Sequence, residues 1–251
     1  MLRNGIKGDI QYTSHIFAFN MSKAQHRKFS VTNFDELVED INPDDDKKNG
    51  DLLPSSIRCL LIGPSASGKT NLLLSLITSP SGLWFKNIWV FGKTLFQGKY
   101  KLLEKILSVI PGVGYRTFSE GSSIPPPSEC PEHTLVVFDD VICENQNQIS
   151  AYYSMGRHSK TDVVYCAQNY ARVPNQLIRL NANLIIAFKQ DVNSLRHIYN
   201  DTSSTDLTFD EFRSFASQAW DSGKHSFLCI DKSREISGGR YRKGLDEYLT
   251  T

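Results

Sequence analysis

From residue 57 onward, the chain alternates short apolar runs with longer polar stretches. The apolar runs are rich in Val, Ile, Leu and Phe, and they lie at 57–62, 87–91, 115–118, 134–138, 162–167, 183–188 and 226–231. Runs of this kind are typical of strands that are covered on both faces, as in a parallel sheet. The stretches between them predict helices at 69–79, 99–110, 144–157, 191–200 and 208–220. The pattern therefore predicts an α/β fold with a central, mostly parallel sheet flanked by helices in three layers.

The remaining segments do not show this alternation. Residues 1–54 contain the charge run DDDKK, which is typical of a solvated loop, and we interpret them as an N-terminal extension. The Pro- and Ser-rich stretch 119–133 predicts an exposed loop. The α/β domain is then expected to occupy residues 55–235, with a basic C-terminal tail at 236–251.

A phosphate-binding motif, G-x-x-x-x-G-K-[ST], follows the first predicted strand and reads Gly63-Pro64-Ser65-Ala66-Ser67-Gly68-Lys69-Thr70. Its glycines let the backbone curl so that successive N–H groups face an anion, and the next helix points its N-terminus at the same place. We expect Lys69 to reach the β- and γ-phosphates of a nucleoside triphosphate, and Thr70 to offer its hydroxyl to Mg²⁺. Because a strand is predicted before the motif and a helix after it, we interpret residues 63–70 as a nucleotide-binding loop.

Two aspartates follow the apolar run 134–138, at the edge of a parallel sheet where ligands gather. Asp139 is expected to support Mg²⁺ through its water shell. Asp140 is then placed to orient or deprotonate an attacking water. Glu144, about one helical turn further on, is the alternative candidate for this base.

Two further groups would complete a site for phosphoryl transfer. Gln168 ends the apolar run 162–167, and from there its amide could contact the γ-phosphate or the attacking water, as a sensor does. Phosphoryl transfer also uses an arginine on the developing charge, often supplied by a neighbouring subunit. We rank Arg157 first for this role, with Arg172 and Arg179 as alternatives.

Composition limits the possible partners. The 251 residues include 28 Lys and Arg against 27 Asp and Glu, so a nucleic-acid surface would have to be a local feature. No apolar run approaches the roughly 18 residues of a membrane span, and we expect no membrane anchor. The five cysteines are scattered, and Cys59, Cys166 and Cys229 lie inside apolar runs, which predicts buried free thiols in a reducing compartment.

The succession of motifs resembles a known family. After GPSASGKT come VVFDD, then GRHSKTDVVYCAQNYARVPNQLIRLNANLIIAFK, FLCIDKSRE and RYRKGLDEYL. From about Ser55 to Leu249, the chain resembles the genome-packaging ATPases of poxviruses, other large DNA viruses, virophages and Polinton-type elements, which belong to the FtsK–HerA branch of P-loop NTPases. These relatives often have Asp-Glu where this chain has Asp139-Asp140.

The resemblance implies a P-loop NTPase fold of the additional-strand type, and an ATP-driven motor that packages double-stranded DNA into a capsid. Carried over by position, Lys69 and Thr70 bind ATP and Mg²⁺, Asp139 and Asp140 form the acidic pair, and Gln168 is the sensor. Arg157 lies where the Gly-Arg element of FtsK–HerA proteins lies. The implied partners are double-stranded DNA, other copies of the chain in a ring, and a capsid or portal-like protein. The implied location is the cytoplasm or nucleus of a host cell, or the virion.

A DNA-translocating motor is expected to contact phosphates through Lys and Arg without reading bases. The best local basic clusters are residues 232–244 and 157–179, and Tyr170 and Tyr241 lie among them. An ordinary solubilising tail and a subunit interface are alternative interpretations of the same arginines.

Two other functions remain open. A DNA helicase or remodelling ATPase of the same branch would share the ATP site. A GTPase-like switch is suggested by AFKQD, where Lys189 and Asp191 have guanine-reading spacing, but Phe188 stands where that motif has Asn. We interpret Lys189 and Asp191 as charges at the start of a helix.

Overall fold

The computed structural model describes residues 49–93, 95–96, 98–119, 123–141, 144–156 and 160–250. Across these residues the strands are β1 Arg58–Ile62, β2 Asn87–Gly92, β3 Gly114–Phe118, β4 Thr134–Asp139, β5 Asp162–Ala167, β6 Leu184–Phe188, β7 Phe227–Asp231, β8 Tyr241–Lys243 and β9 Glu247–Tyr248. The helices are α1 Lys69–Thr78, α2 Gly98–Ser108, α3 Gln146–Met155, α4 Val192–Thr202 and α5 Phe209–Trp220.

The strands of the described residues form a single sheet in the order β3-β2-β4-β5-β1-β6-β7-β8-β9. The pairs from β3 to β6 are parallel, and β7, β8 and β9 continue the sheet antiparallel. The register pairs Val164 of β5 with Cys59 of β1 on one side and with Val137 of β4 on the other. Because β5 lies between β1 and β4, it is the additional strand of the predicted fold class. The prediction of the fold class is therefore confirmed. It brings the carboxyl ends of β1, β5 and β4 side by side.

Both faces of the sheet are covered, which explains the nearly continuous apolar runs of its strands. One layer of buried side chains joins the sheet to α1 and α2 through Leu73 and Leu103. The other layer joins it to α3, α4 and α5 through Ile149, Ile198 and Phe212. Helices therefore flank the sheet on both sides, as the sequence pattern predicts.

The C-terminal segment corrects the prediction of a basic tail at 236–251. Residues Tyr241–Lys243 form β8, which pairs with β7, and Glu247–Tyr248 form β9. The Arg242 guanidinium is fully buried, 3.4 Å from Asp231 Oδ2, and it donates to the carbonyl oxygen of Leu52 at 2.6 Å. A basic segment can belong to a sheet because an internal carboxylate compensates its buried charge.

The N-terminal side of the domain also extends beyond the predicted boundary at residue 55. Leu53 is buried, and the Asn49 side chain donates to the carbonyl oxygen of Pro54 at 3.0 Å. The rest of the predicted extension, residues 1–48, lies outside the described residues.

Among the described residues, no helix is long and apolar enough to cross a membrane. The described cysteines are buried free thiols, and Cys143 lies outside the described residues.

Candidate active site

The phosphate-binding loop connects the end of β1 to the start of α1. Gly68 precedes the helix with a φ of +116°, a backbone conformation that residues other than glycine rarely adopt. A Cβ atom at Gly63 would lie 2.6 Å from Ser67 Oγ and 2.8 Å from Phe188 Cβ, which is too close for any side chain. The backbone N–H of Gly63 also donates to Ala167 O at 3.1 Å, which ties the loop to the end of β5. The loop therefore has its glycines where its geometry requires them.

Lys69 begins α1, and its side chain reaches back to the start of the loop. Its ammonium donates to the carbonyl oxygens of Gly63 at 2.6 Å and Pro64 at 3.0 Å. Burial lowers the pKa of Lys69, while nearby acidic groups, including Asp139 and Asp140, oppose that shift. The lysine is thus held over the loop, close to the acidic pair.

Asp139 and Asp140 lie at the carboxyl end of β4 in two different environments. Asp139 is partly buried, and its Oδ2 accepts a hydrogen bond from Tyr100 Oη at 2.5 Å. Burial raises the pKa of Asp139, and the hydrogen bond from Tyr100 and the charge of Lys69 oppose that shift. Asp140 is exposed and has a φ of +57°, a left-handed conformation that Asp tolerates better than most residues. The first carboxylate is therefore fixed in place, and the second is open to solvent.

Gln168 follows β5 directly and is exposed. Because β5 lies between β1 and β4, the glutamine follows the strand that separates the loop from the acidic pair. One cavity of about 400 Å³ is lined by residues of all three motifs, among them Lys69, Thr70, Asp139, Asp140 and Gln168. The structure thus brings together the residues that the sequence assigns to phosphate, metal, base and sensor roles.

Glu144, the alternative base, does not line this cavity. It lines a smaller pocket with Phe91, Phe118 and Ile124. Of the two candidate bases, Asp140 is therefore the one that lines the cavity with Lys69 and Thr70.

The three arginines that are candidates for the phosphoryl-transfer site differ in where they lie relative to the cavity. Arg157 lies outside the described residues. Arg179 is buried, 3.4 Å from Asp201 Oδ2, and its guanidinium lies 5.0 Å from the ring centre of Tyr170. These contacts are internal, so Arg179 stabilises the fold and does not reach the cavity. Arg172 is exposed and lines a second cavity, of about 370 Å³, that shares Asp140 and Gln168 with the first.

Several residues at the site were not predicted from the sequence. Lys99 and Tyr100 reach it from the first turn of α2, and the exposed His225 reaches it from the turn before β7. His225 Nδ1 lies 2.8 Å from the carbonyl oxygen of Ser67. The strand order explains why the start of α2 and the turn before β7 both reach the site. β2 ends beside β4, and the antiparallel β7 begins at the edge where its neighbour β6 ends. That order is not visible in the sequence.

The structure corrects the prediction of nucleic-acid contacts by two tyrosines. Tyr170 and Tyr241 are fully buried, so neither ring is available to a nucleic acid. Most of the basic side chains between 232 and 244 also have internal carboxylate partners: Arg234 and Arg242 with Asp231, Arg240 with Asp206, and Lys243 with Glu247.

The segment that suggested a guanine-reading motif begins a helix, as we interpreted it. The Asp191 carboxylate caps α4 by accepting from the backbone N–H of Ser194 at 2.9 Å. Lys189 lies 3.7 Å from Asp221, and both side chains are well exposed.

No protein-family model matches the chain, and no curated protein matches it. Among solved structures, the chain is similar to the genome packaging NTPase B204 from Sulfolobus turreted icosahedral virus 2 in complex with AMP, at 14% identity and a TM-score of 0.49, covering 71% of this chain and 93% of that chain. It is similar to B204, the DNA-packaging ATPase from Sulfolobus turreted icosahedral virus, at 14% identity and a TM-score of 0.47, covering 70% and 93%.

The chain is also similar to part of a secretion ATPase. The cytoplasmic domain of the Thermomonospora curvata type VII secretion ATPase EccC is 9% identical with a TM-score of 0.45, covering 71% of this chain and 24% of that chain.

Proposed function

We propose that this chain hydrolyses ATP at the sheet edge where β1, β4 and β5 end, and that it uses the energy to translocate double-stranded DNA. One observation carries the first half of this proposal. A single cavity is lined by the phosphate loop with Lys69 and Thr70, the acidic pair Asp139 and Asp140, and Gln168.

The residues of the site fit ATP and Mg²⁺. The loop has the glycines that a phosphate cradle needs, and Ser67 Oγ is buried without a hydrogen-bond partner among the described residues. The Thr70 hydroxyl would suit Mg²⁺ as an oxygen ligand, and the Asp139 carboxylate would suit it as a partner of the water shell. When bound, Mg²⁺ neutralises charge on the β- and γ-phosphates.

Each residue then has a defined part in hydrolysis. Lys69 leaves its carbonyl partners on the loop to hold the phosphates. Asp140 accepts a proton from water, whose oxygen bonds to the γ-phosphorus while the bond to the β–γ bridging oxygen breaks, giving ADP and phosphate. Gln168 orients that water through its amide. A protein that only held nucleotide would need neither Asp140 nor Gln168.

The DNA half of the proposal is supported by the motif succession between Ser55 and Leu249, which resembles genome-packaging ATPases. On this basis we propose a ring of subunits that moves duplex DNA into a capsid through a capsid or portal-like protein, in a reducing compartment. In such a ring, a neighbour's arginine could enter the second cavity, which is lined by Asp140, Gln168 and Arg172.

A phosphate-release assay tests this function. The purified chain is given ATP or GTP, each without DNA, with duplex DNA and with single-stranded DNA at equal nucleotide concentration. We expect ATP to be hydrolysed and duplex DNA to stimulate the rate. A strong preference for GTP without a DNA effect would contradict the motor and favour a switch. Stimulation by single strands, together with strand separation, would favour a helicase.

A further inference from the structure

Tyr100 contacts the acidic pair from outside the three predicted motifs. Its hydroxyl donates to Asp139 Oδ2 at 2.5 Å, and its side chain is only 2% exposed. Hydrogen bonds to ionised acceptors are short and are stronger than neutral ones. This bond joins the start of α2 to the end of β4.

The strand order explains how α2 reaches the site. β2 pairs with β4, and Gly92 at the end of β2 lies opposite Asp139 in the register. The chain leaving β2 therefore starts from the edge where the acidic pair lies, and α2 begins there with Lys99 lining the nucleotide cavity. The register places Tyr100 within reach of Asp139.

Tyr100 is held rigidly. Its ring belongs to the apolar layer between the sheet and α1 and α2, together with Leu103 and Leu107 of the same helix, which are at most 2% exposed. A phenol fixed in this way gives the carboxylate of Asp139 one preferred orientation. Oδ2 is occupied by the tyrosine, and Oδ1 has no hydrogen-bond partner among the described residues.

We infer that Tyr100 is a positioning residue, which holds the Asp139 carboxylate so that its other oxygen supports Mg²⁺ at the nucleotide. The inference rests on the proposed ATPase function. Loss of the phenol would leave Oδ2 as a partly buried acceptor without this partner, and the carboxylate would be free to rotate. Mutation of an outer-shell partner of a metal site typically lowers metal affinity or activity by about 10- to 100-fold.

The alternative is that the hydroxyl only stabilises the core. Tyr152 provides the matched comparison, because it is fully buried in the other apolar layer and donates to the carbonyl oxygen of Pro125 at 2.7 Å. Replacing either tyrosine with phenylalanine removes one oxygen atom and one buried hydrogen bond. Both variants are expected to have a lower melting temperature than the wild type.

The test compares wild type, Tyr100→Phe and Tyr152→Phe in two measurements over a range of Mg²⁺ concentrations, ATP binding and phosphate release. ATP affinity in EDTA is the Mg²⁺-free control. We expect Tyr100→Phe to raise the half-maximal Mg²⁺ concentration by about 10-fold and to leave the Mg²⁺-free affinity unchanged. Tyr152→Phe should leave both unchanged.

A Tyr100→Phe protein with the wild-type Mg²⁺ requirement would overturn the inference, even if its melting temperature or maximal rate fell. If the wild type released no phosphate from ATP at any Mg²⁺ concentration, the proposed function itself would fail. The two failures are therefore distinguishable.

Discussion

Two regions of the molecule are rich in charged and polar groups, but these groups are exposed in one region and paired inside the domain in the other. At the nucleotide edge, formed by residues 63–70, 139–140 and 168, Asp140 and Gln168 are exposed and line a cavity. In the C-terminal basic segment, residues 232–243, most of the basic side chains have carboxylate partners within the domain, and Arg242 is completely buried. The first region is free to act on a ligand, while the second holds the end of the chain in the sheet.

The difference shows what each kind of sequence signal reports. A motif with fixed spacing reports backbone geometry, since a phosphate loop needs glycine at particular positions. A basic composition reports only charge, and the partner of that charge can lie inside the same domain. Asp231 illustrates this, because it is fully buried and pairs with both Arg234 and Arg242.

The largest expected effect is on turnover. Lys69→Ala should lower phosphate release from ATP by about 1,000-fold, because it removes the positive charge that the phosphate loop offers to the transferred group. Lys243→Ala is the matched control, since it removes a lysine of the C-terminal basic segment, which pairs with Glu247 at 2.9 Å. Its turnover should equal that of the wild type. Equal losses in the two variants would show that the comparison is wrong.

The next effect is on stability. Arg242→Met should lower the free energy of unfolding by about 3 kcal/mol, because it leaves a buried carboxylate with a partner missing. Urea unfolding measures this, and turnover per folded molecule should be unchanged. Lys243→Ala, which breaks a surface pair, should cost less than about 1 kcal/mol. A stable Arg242→Met protein with defective DNA-stimulated turnover would place Arg242 on a functional surface instead.

Much of the fold could be predicted from the sequence because its strands are covered on both faces. Their apolar runs are nearly continuous, and the predicted run 162–167 coincides with β5. β8 and β9 were not predicted, because they are only three and two residues long and the buried members of β8 include a charged side chain. A charge is read from sequence as exposed unless its partner is known.

The site could also be predicted from the sequence only in part. Asp139 and Asp140 could be predicted because they lie at the end of one apolar strand, and Gln168 because it follows another. Parallel strands end at a common edge of the sheet. Tyr100 could not be predicted, because its contact with Asp139 depends on β2 lying beside β4. Arg179 could not be recognised as a core residue, because its partner Asp201 is far along the chain, on α4.

The central claim is that this sheet edge hydrolyses the triphosphate that it binds. The most direct test measures ATP binding and phosphate release in the same samples, with Mg²⁺, for wild type and Gln168→Ala. We predict that both proteins bind ATP with similar affinity, that the wild type releases phosphate over many turnovers, and that Gln168→Ala releases it at least about 10-fold more slowly. Tight ATP binding without phosphate release by the wild type would contradict the claim and identify a protein that only holds its nucleotide.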